Sequence, residues 1–284
     1  MVVIEHFSAL APAYDVVLSD VWGVVHNGIA AYPQAGEALA RFRAHGGTVI
    51  LVSNSPRPGQ PVRGQLDRLG VIRTAYDGVV TSGDVTRGVL AQRPGANVFH
   101  IGPERDLSIF TGLDIRFTSL AAADCVVCSG LFDDEVETAE DYRDLLQRLR
   151  ARALLMVCAN PDVVVERGDR LVSCAGAIAD LYAALGGDVI YAGKPYRPIY
   201  DLALAECAAI RGSPAALPRV LAIGDSVRTD FKGASALGID CLFVTDGIHA
   251  EELGGGEEVD RAALEAIFAT TGELPKAVAR RLAW

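Results

Sequence analysis

Short β-branched runs that end in a small polar loop and then hand over to an amphipathic helix recur along this chain. That alternation restricts its fold more than any other feature. Val16-Val17-Leu18 leads into Asp20, and Val49-Ile50-Leu51-Val52 leads into Ser53-Asn54. Val220-Leu221-Ala222-Ile223 leads into Gly224-Asp225, and Leu242-Phe243-Val244 into Thr245-Asp246. Between them, the spacing of Ala38, Leu39 and Phe42 predicts a helix over 34–45. Ile199, Leu202, Ala203, Cys207 and Ile210 predict another over 197–211. Strands that are apolar throughout, rather than at alternate positions, are strands buried on both faces. The pattern therefore predicts an α/β fold built on a doubly wound, Rossmann-like parallel sheet. Ligands of such sheets bind beyond the carboxyl ends of the strands. Asp20, Ser53 and Asp225 each stand at one such end, so three polar groups far apart in the chain are expected to converge at one edge.

The 284 residues are enough for two domains. Segment 84–190 has its own strand-like runs at 97–101, 125–128 and 154–157, and a helical stripe of Tyr142, Leu145, Leu146 and Leu149. It reads as an inserted domain, leaving 1–83 and 191–284 as the core. Half of the residues are apolar and 22% are charged, which excludes a disordered chain. A net charge of −10 argues against a protein that coats nucleic acid, while leaving room for a small phosphorylated ligand in one cationic cleft. The chain has no charge-free apolar run near the roughly 18 residues that span a bilayer, and Met1 to His6 lack the features of a signal peptide. No membrane partner and a cytoplasmic location are expected. Self-association into a homo-oligomer is neither specified nor opposed. Six scattered cysteines suit reduced core thiols. Cys125 and Cys128 have CxxC spacing, but on a strand positions three apart point to opposite faces. The run Gly254-Gly255-Gly256-Glu257-Glu258 is expected to be an exposed loop.

Four short motifs follow one another in order at the strand ends. They are Asp20-Val21-Trp22-Gly23-Val24-Val25-His26-Asn27-Gly28, Ser53-Asn54-Ser55, Gly193-Lys194-Pro195 and Gly224-Asp225-Ser226-Val227-Arg228-Thr229-Asp230. Together they resemble the signature of the haloacid-dehalogenase (HAD) superfamily, and specifically its class IIA, NagD-like phosphatases. Thr81-Ser82-Gly83-Asp84 and Asn160-Pro161-Asp162 fit that subgroup's landmarks at the entry to the cap and within it. The resemblance covers most of the chain and implies a HAD core carrying an α/β cap of the C2 type.

By the same resemblance, Asp20 would be the nucleophile that attacks phosphorus and forms an aspartyl-phosphate. A carboxylate approaching a phosphate dianion meets like charge, so Mg²⁺ is the implied cofactor. Asp20, the backbone carbonyl of Trp22 and Asp225 would supply its protein ligands, with Asp230 a further acidic group of that site. The Ser53 hydroxyl and the Asn54 backbone N–H would bind phosphoryl oxygens. Lys194 would bridge the nucleophile and the phosphate as a point charge. One position departs from the pattern. Two residues after the nucleophile these phosphatases carry a second aspartate that protonates the leaving oxygen, and here that residue is Trp22. Indole is a donor only and shuttles no protons at neutral pH. His26, in the same loop, is the replacement acid/base by its ordinary pKa, against the alternative of a solvated flap residue.

The expected function is thus a Mg²⁺-dependent phosphoric monoester hydrolase acting on a small phosphorylated metabolite. The alternative is a catalytically weak HAD protein that binds a phosphorylated ligand as a sensor or partner protein. A redox or zinc role for Cys125 and Cys128 ranks last.

Overall fold

The continuous apolar runs form strands whose two faces are both covered, as a parallel arrangement requires. The computed structural model describes residues 1–167, 170–253 and 260–284, so the expected glycine-rich loop at 254–258 lies outside the described residues. In chain order the strands are β1 (Val2–Val3), β2 (Val16–Ser19), β3 (Thr48–Ser53) and β4 (Gly78–Thr81). There follow β5 (Ala96–Ile101), β6 (Ile115–Phe117), β7 (Cys125–Cys128), β8 (Leu155–Cys158), β9 (Val164–Arg167), β10 (Arg170–Ser173) and β11 (Val189–Tyr191). The last are β12 (Val220–Gly224), β13 (Asp240–Val244) and β14 (Ala277–Ala279). The helices are α1 (Pro33–Ala44), α2 (Gly59–Leu69), α3 (Ser82–Ala91), α4 (Arg143–Ala151), α5 (Ala175–Ala184), α6 (Arg197–Arg211), α7 (Lys232–Leu237) and α8 (Arg261–Phe268).

The chain divides into two compact units, one of Met1–Ser53, Val62–Val80 and Tyr200–Trp284, the other of Asn54–Pro61 and Thr81–Ile199. In the first unit seven strands lie in the order β1-β14-β13-β12-β2-β3-β4. Every neighbouring pair from β1 to β3 is parallel. Val17, Val49, Leu221 and Leu242 share one face and pack with Ala38, Leu39 and Phe42 of α1 and with Val62 and Leu66 of α2. Side chains alternate along a strand, so Phe243 points the other way. There its ring lies 5.0 Å from that of Phe268 in α8, which in turn lies 4.8 Å from Phe231. From β2 the sheet grows outward through β3 to β4, and from β12 it grows the opposite way through β13 to β14. The strand order therefore reverses between β2 and β12, the place where such sheets hold their ligands.

The second unit carries a parallel five-stranded sheet in the order β11-β8-β7-β5-β6, and β9 and β10 form an antiparallel hairpin. Leu146 and Leu149 of α4 are buried with Ile178, Ala179 and Tyr182 of α5. Tyr142, expected within the helical stripe, sits instead in the short turn that precedes α4. The six cysteines are buried and joined in no disulfide. Val126 and Cys128 face the packed helices while Cys125 does not, so the CxxC pair is split across the sheet and cannot grip one ion. Segment 54–61, a loop and the first residues of α2, groups with this unit. Asp84 closes a capping box at the start of α3 by accepting from the Thr81 N–H (3.0 Å), and it also accepts from the Gly59 N–H (3.1 Å), which fastens the loop to the helix. Among the described residues no helix is long and apolar enough to cross a membrane.

His100, near the end of β5, lies against Phe110 with its Nε2 2.9 Å from the Ser129 hydroxyl. Burial pushes its pKa down to about 4, from an ordinary value near 6.5. The folded state therefore refuses a proton that the unfolded chain accepts. The stability due to neutral His100 is complete above about pH 6.5 and is lost as the pH falls towards 4, up to about 3 kcal/mol. Replacing His100 with Gln keeps a polar partner for Ser129 and removes the titration. The melting temperature of that variant should fall less steeply than wild type between pH 6.5 and 4.5, and parallel curves would contradict this account.

Candidate active site

The reversal of strand order brings together two carboxylates that follow β2 and β12. The Asp20 N–H donates to the Ile223 carbonyl (2.7 Å), extending the pairing of the two strands by one residue, and the Val21 N–H donates to Asp20 Oδ1 (2.7 Å). Asp225 is buried, and its Oδ2 accepts from the Ile248 N–H (2.8 Å) in the loop after β13. Asp230 sits on the helical turn Val227–Phe231, buried, with its Oδ2 accepting from the Ser226 N–H (3.2 Å). One oxygen from each of the three lies within 4.8 Å of the others. Among the described residues no other group of three His, Cys, Asp or Glu side chains converges in this way. An all-oxygen donor set of this kind suits a hard divalent cation.

Two glycines make room for the central carboxylate. A Cβ on Gly23 or on Gly247 would overlap the Asp225 side chain, so the backbone after Asp20 and the backbone after β13 close on it from two directions. Gly23 also has φ +81°, which disfavours any side chain there, whereas Gly247 does not share that restriction.

Trp22 lies between Asp20 and Gly23, and the indole does not bury itself under the loop. It is 43% exposed, with the outer carbons of its six-membered ring against Gly28 and the imidazole of His26 edge-on at 5.3 Å. His26 is neither the solvated flap residue nor a well-placed acid. It is 2% exposed, its Nδ1 accepts from the Gly28 N–H (2.9 Å), and burial pushes its pKa down to about 4. At neutral pH it is an uncharged ring that fixes the turn 26–28, with no proton to spare for a leaving group.

Ser53 is half-buried at the end of β3 in the first unit. Asn54 and Lys194, both buried in the second unit, are bonded to each other. The Lys194 N–H donates to Asn54 Oδ1 (2.7 Å), and Asn54 Nδ2 donates to the Lys194 carbonyl (3.1 Å) and to Asp162 Oδ1 (2.9 Å). Sequence reasoning overlooked the Gly247-Ile248 backbone, although Thr245-Asp246 marks a fourth strand end of the same kind. It also gave no partner to Asp162.

Comparisons with known proteins show the family. The model of haloacid dehalogenase-like hydrolases matches residues 17–116, and a second, HAD-hydrolase-like model matches 191–269. A haloacid dehalogenase-like hydrolase from Brucella suis 1330 shares 49% identity over 99% of this chain and 100% of its own, with a TM-score of 0.86. The chain belongs to the haloacid dehalogenase-like hydrolases. Within that family it is also similar to D-glycerol 3-phosphate phosphatase of Mycobacterium tuberculosis, 30% identical over 248 residues, and it spans 66% of that protein's length. A crystal structure of the mycobacterial glycerol phosphate phosphatase with magnesium aligns at a TM-score of 0.65 and 30% identity, over 84% of this chain and 70% of that one. A possible sugar phosphatase from Cytophaga hutchinsonii, at 20% identity and a TM-score of 0.78 over 99% and 98% of the two chains, shares the HAD fold.

Gly247→Ala tests the cradle. Its backbone tolerates alanine, but the new methyl displaces Asp225 from the Ile248 N–H. Binding of a cation to the native state alone raises stability as RT ln(1 + [L]/Kd). The stabilisation by millimolar divalent cation should therefore shrink in Gly247→Ala, and a shift as large as that of wild type would show that the carboxylate's position is immaterial.

Proposed function

We propose that this hydrolase is a Mg²⁺-dependent phosphatase of small phosphorylated metabolites, working through an aspartyl-phosphate at Asp20. The observation that carries the proposal is the meeting of Asp20, Asp225 and Asp230 at the reversal of strand order. Three carboxylates so close call for a cation, and Mg²⁺ prefers oxygen ligands while keeping several waters. Asp20, the Trp22 carbonyl and Asp225 would hold it, with Asp230 beside them. Bound there, it would supply the positive charge that lets a carboxylate meet a phosphate dianion. Asp20 then attacks phosphorus, the ester oxygen leaves, and water hydrolyses the acyl phosphate to return the carboxylate. The Ser53 hydroxyl, the Asn54 backbone N–H and the Lys194 ammonium are assigned to the phosphoryl oxygens. Relatives named as phosphatases, one of them solved with magnesium, support this function over a purely ligand-binding one.

Mg²⁺ at millimolar concentration should raise the melting temperature of wild type, and Asp225→Asn should abolish most of the rise. Absence of any rise in wild type would remove the metal from the assignment.

The leaving group is where this chain should depart from its relatives. Trp22 cannot protonate the ester oxygen, and His26 is buried, engaged and neutral. Substrates whose leaving group departs as a stable anion, acyl and aryl phosphates, should outrun alkyl esters such as glycerol 3-phosphate. Trp22→Asp restores a proton donor at that position and should raise turnover of alkyl phosphates by roughly 10- to 100-fold, the low end of general acid–base catalysis. The indole is half-exposed, so its removal costs less than the roughly 3–5 kcal/mol of a fully buried ring. A folded, Mg²⁺-binding Trp22→Asp variant no faster on alkyl phosphates than wild type would locate the rate limit elsewhere.

A further inference from the structure

Resting on the phosphatase assignment above, we infer that Asn54 and Asp162 form a positioning pair that sets the place of Lys194. Asn54 grips one residue at both of its backbone polar groups. Its Oδ1 accepts from the Lys194 N–H (2.7 Å) and its Nδ2 donates to the Lys194 carbonyl (3.1 Å). An amide can be turned end for end, and turning it would break both bonds by setting oxygen against oxygen and N–H against N–H. Asp162 adds a third contact that enforces the same orientation. An ionised carboxylate only accepts, and its Oδ1 receives the second Nδ2 proton (2.9 Å), so only one orientation of the amide satisfies all three contacts. The Ser82 hydroxyl donates to Asn54 Oδ1 at 3.5 Å. A Cβ on Gly193 would overlap Asn54 and Ser82, so the residue before Lys194 is one that lets its backbone settle against the amide.

Residues from three separate stretches of the second unit, the loop after β3, the loop after β8 and the loop after β11, thus meet on one buried amide. A buried polar network holds its geometry only while every member is satisfied. The Asn54 side chain and its backbone N–H therefore have separate duties. The backbone is assigned to the phosphoryl group, and the side chain fixes the stem from which the Lys194 ammonium extends. Asp162 acts one step further back, through Asn54. A displacement of about 1 Å in a positioned group can reduce a rate by about 10²-fold, so a clasp on the backbone of Lys194 has kinetic consequences without touching substrate.

The test is a mutant cycle on the full chain with p-nitrophenyl phosphate and Mg²⁺, with inorganic phosphate affinity measured in parallel by calorimetry. Asn54→Ala should lower kcat/KM by about 10²-fold and weaken phosphate binding. Lys194→Met should do at least as much, and Asn54→Ala with Lys194→Met should be no worse than Lys194→Met alone, because the clasp acts only through that lysine. Asp162→Asn, which still offers an acceptor to Nδ2, should stay near wild type, while Asp162→Leu should follow Asn54→Ala. Should Asn54→Ala fail to fold, Asp162→Leu takes its place in the cycle. Losses that multiply in the double variant, or an Asp162→Leu variant as active as Asp162→Asn, would overturn the inference. Should wild type turn over no phosphate ester, the phosphatase assignment fails, and the same cycle read in phosphate affinity still decides whether Asn54 acts through Lys194.

Discussion

Three carboxylates held within 4.8 Å of one another repel, and the first unit is arranged around holding them there. At an effective dielectric of about 20, each such pair opposes folding by about 3 kcal/mol before any cation arrives. Part of the protein's answer lies in the main chain. Backbone N–H groups of Val21, Ile248 and Ser226 donate to Asp20, Asp225 and Asp230 respectively. Each donor belongs to a loop whose position is fixed by a strand end or a helical turn. Each hydrogen bond to a charged acceptor offsets part of that repulsion. Donors of this kind work only if the backbone that carries them is rigid rather than merely nearby.

Much of this was legible in the chain because it follows from period and position. Strands that are apolar at every residue imply a sheet covered on both sides, and the helix spanning Arg197–Arg211 was visible in its own spacing. The convergence of Asp20 and Asp225 followed from their place at strand ends. What stayed hidden was everything settled by contacts between distant segments. Nothing in a one-dimensional pattern says that His26 is buried with its ring nitrogen bonded to Gly28, or that Asp162 steers the amide of Asn54. Nor does such a pattern say that the Gly59 N–H at the start of α2 bonds to Asp84, and hydrogen bonds across a gap of this kind leave no periodic trace.

At Trp22 the main chain and the side chain have separate tasks. The backbone after Asp20 must close over Asp225, and Gly23 secures that whatever side chain precedes it. The side chain at position 22 is consequently free to vary without dismantling the acidic cluster. An indole laid against Gly28 and His26 offers a ring N–H as donor but no group that can protonate a leaving oxygen at neutral pH. Architecture and proton transfer are separable here because one depends on the main chain and the other on the side chain.

The pairing of β2 with β12 has a consequence for how the chain is made. Val16 pairs with Val220, so the two central strands of the first sheet are separated by roughly 200 residues of intervening chain. During synthesis β2 and β3 emerge early, with the inner edge of β2 still unpaired. The second unit, by contrast, is contiguous apart from the eight-odd residues of its leading loop and can gather its sheet as soon as its last strand emerges. An unpaired strand edge invites pairing with other chains. The nascent protein must therefore carry that open edge until its final third arrives and β12 closes it.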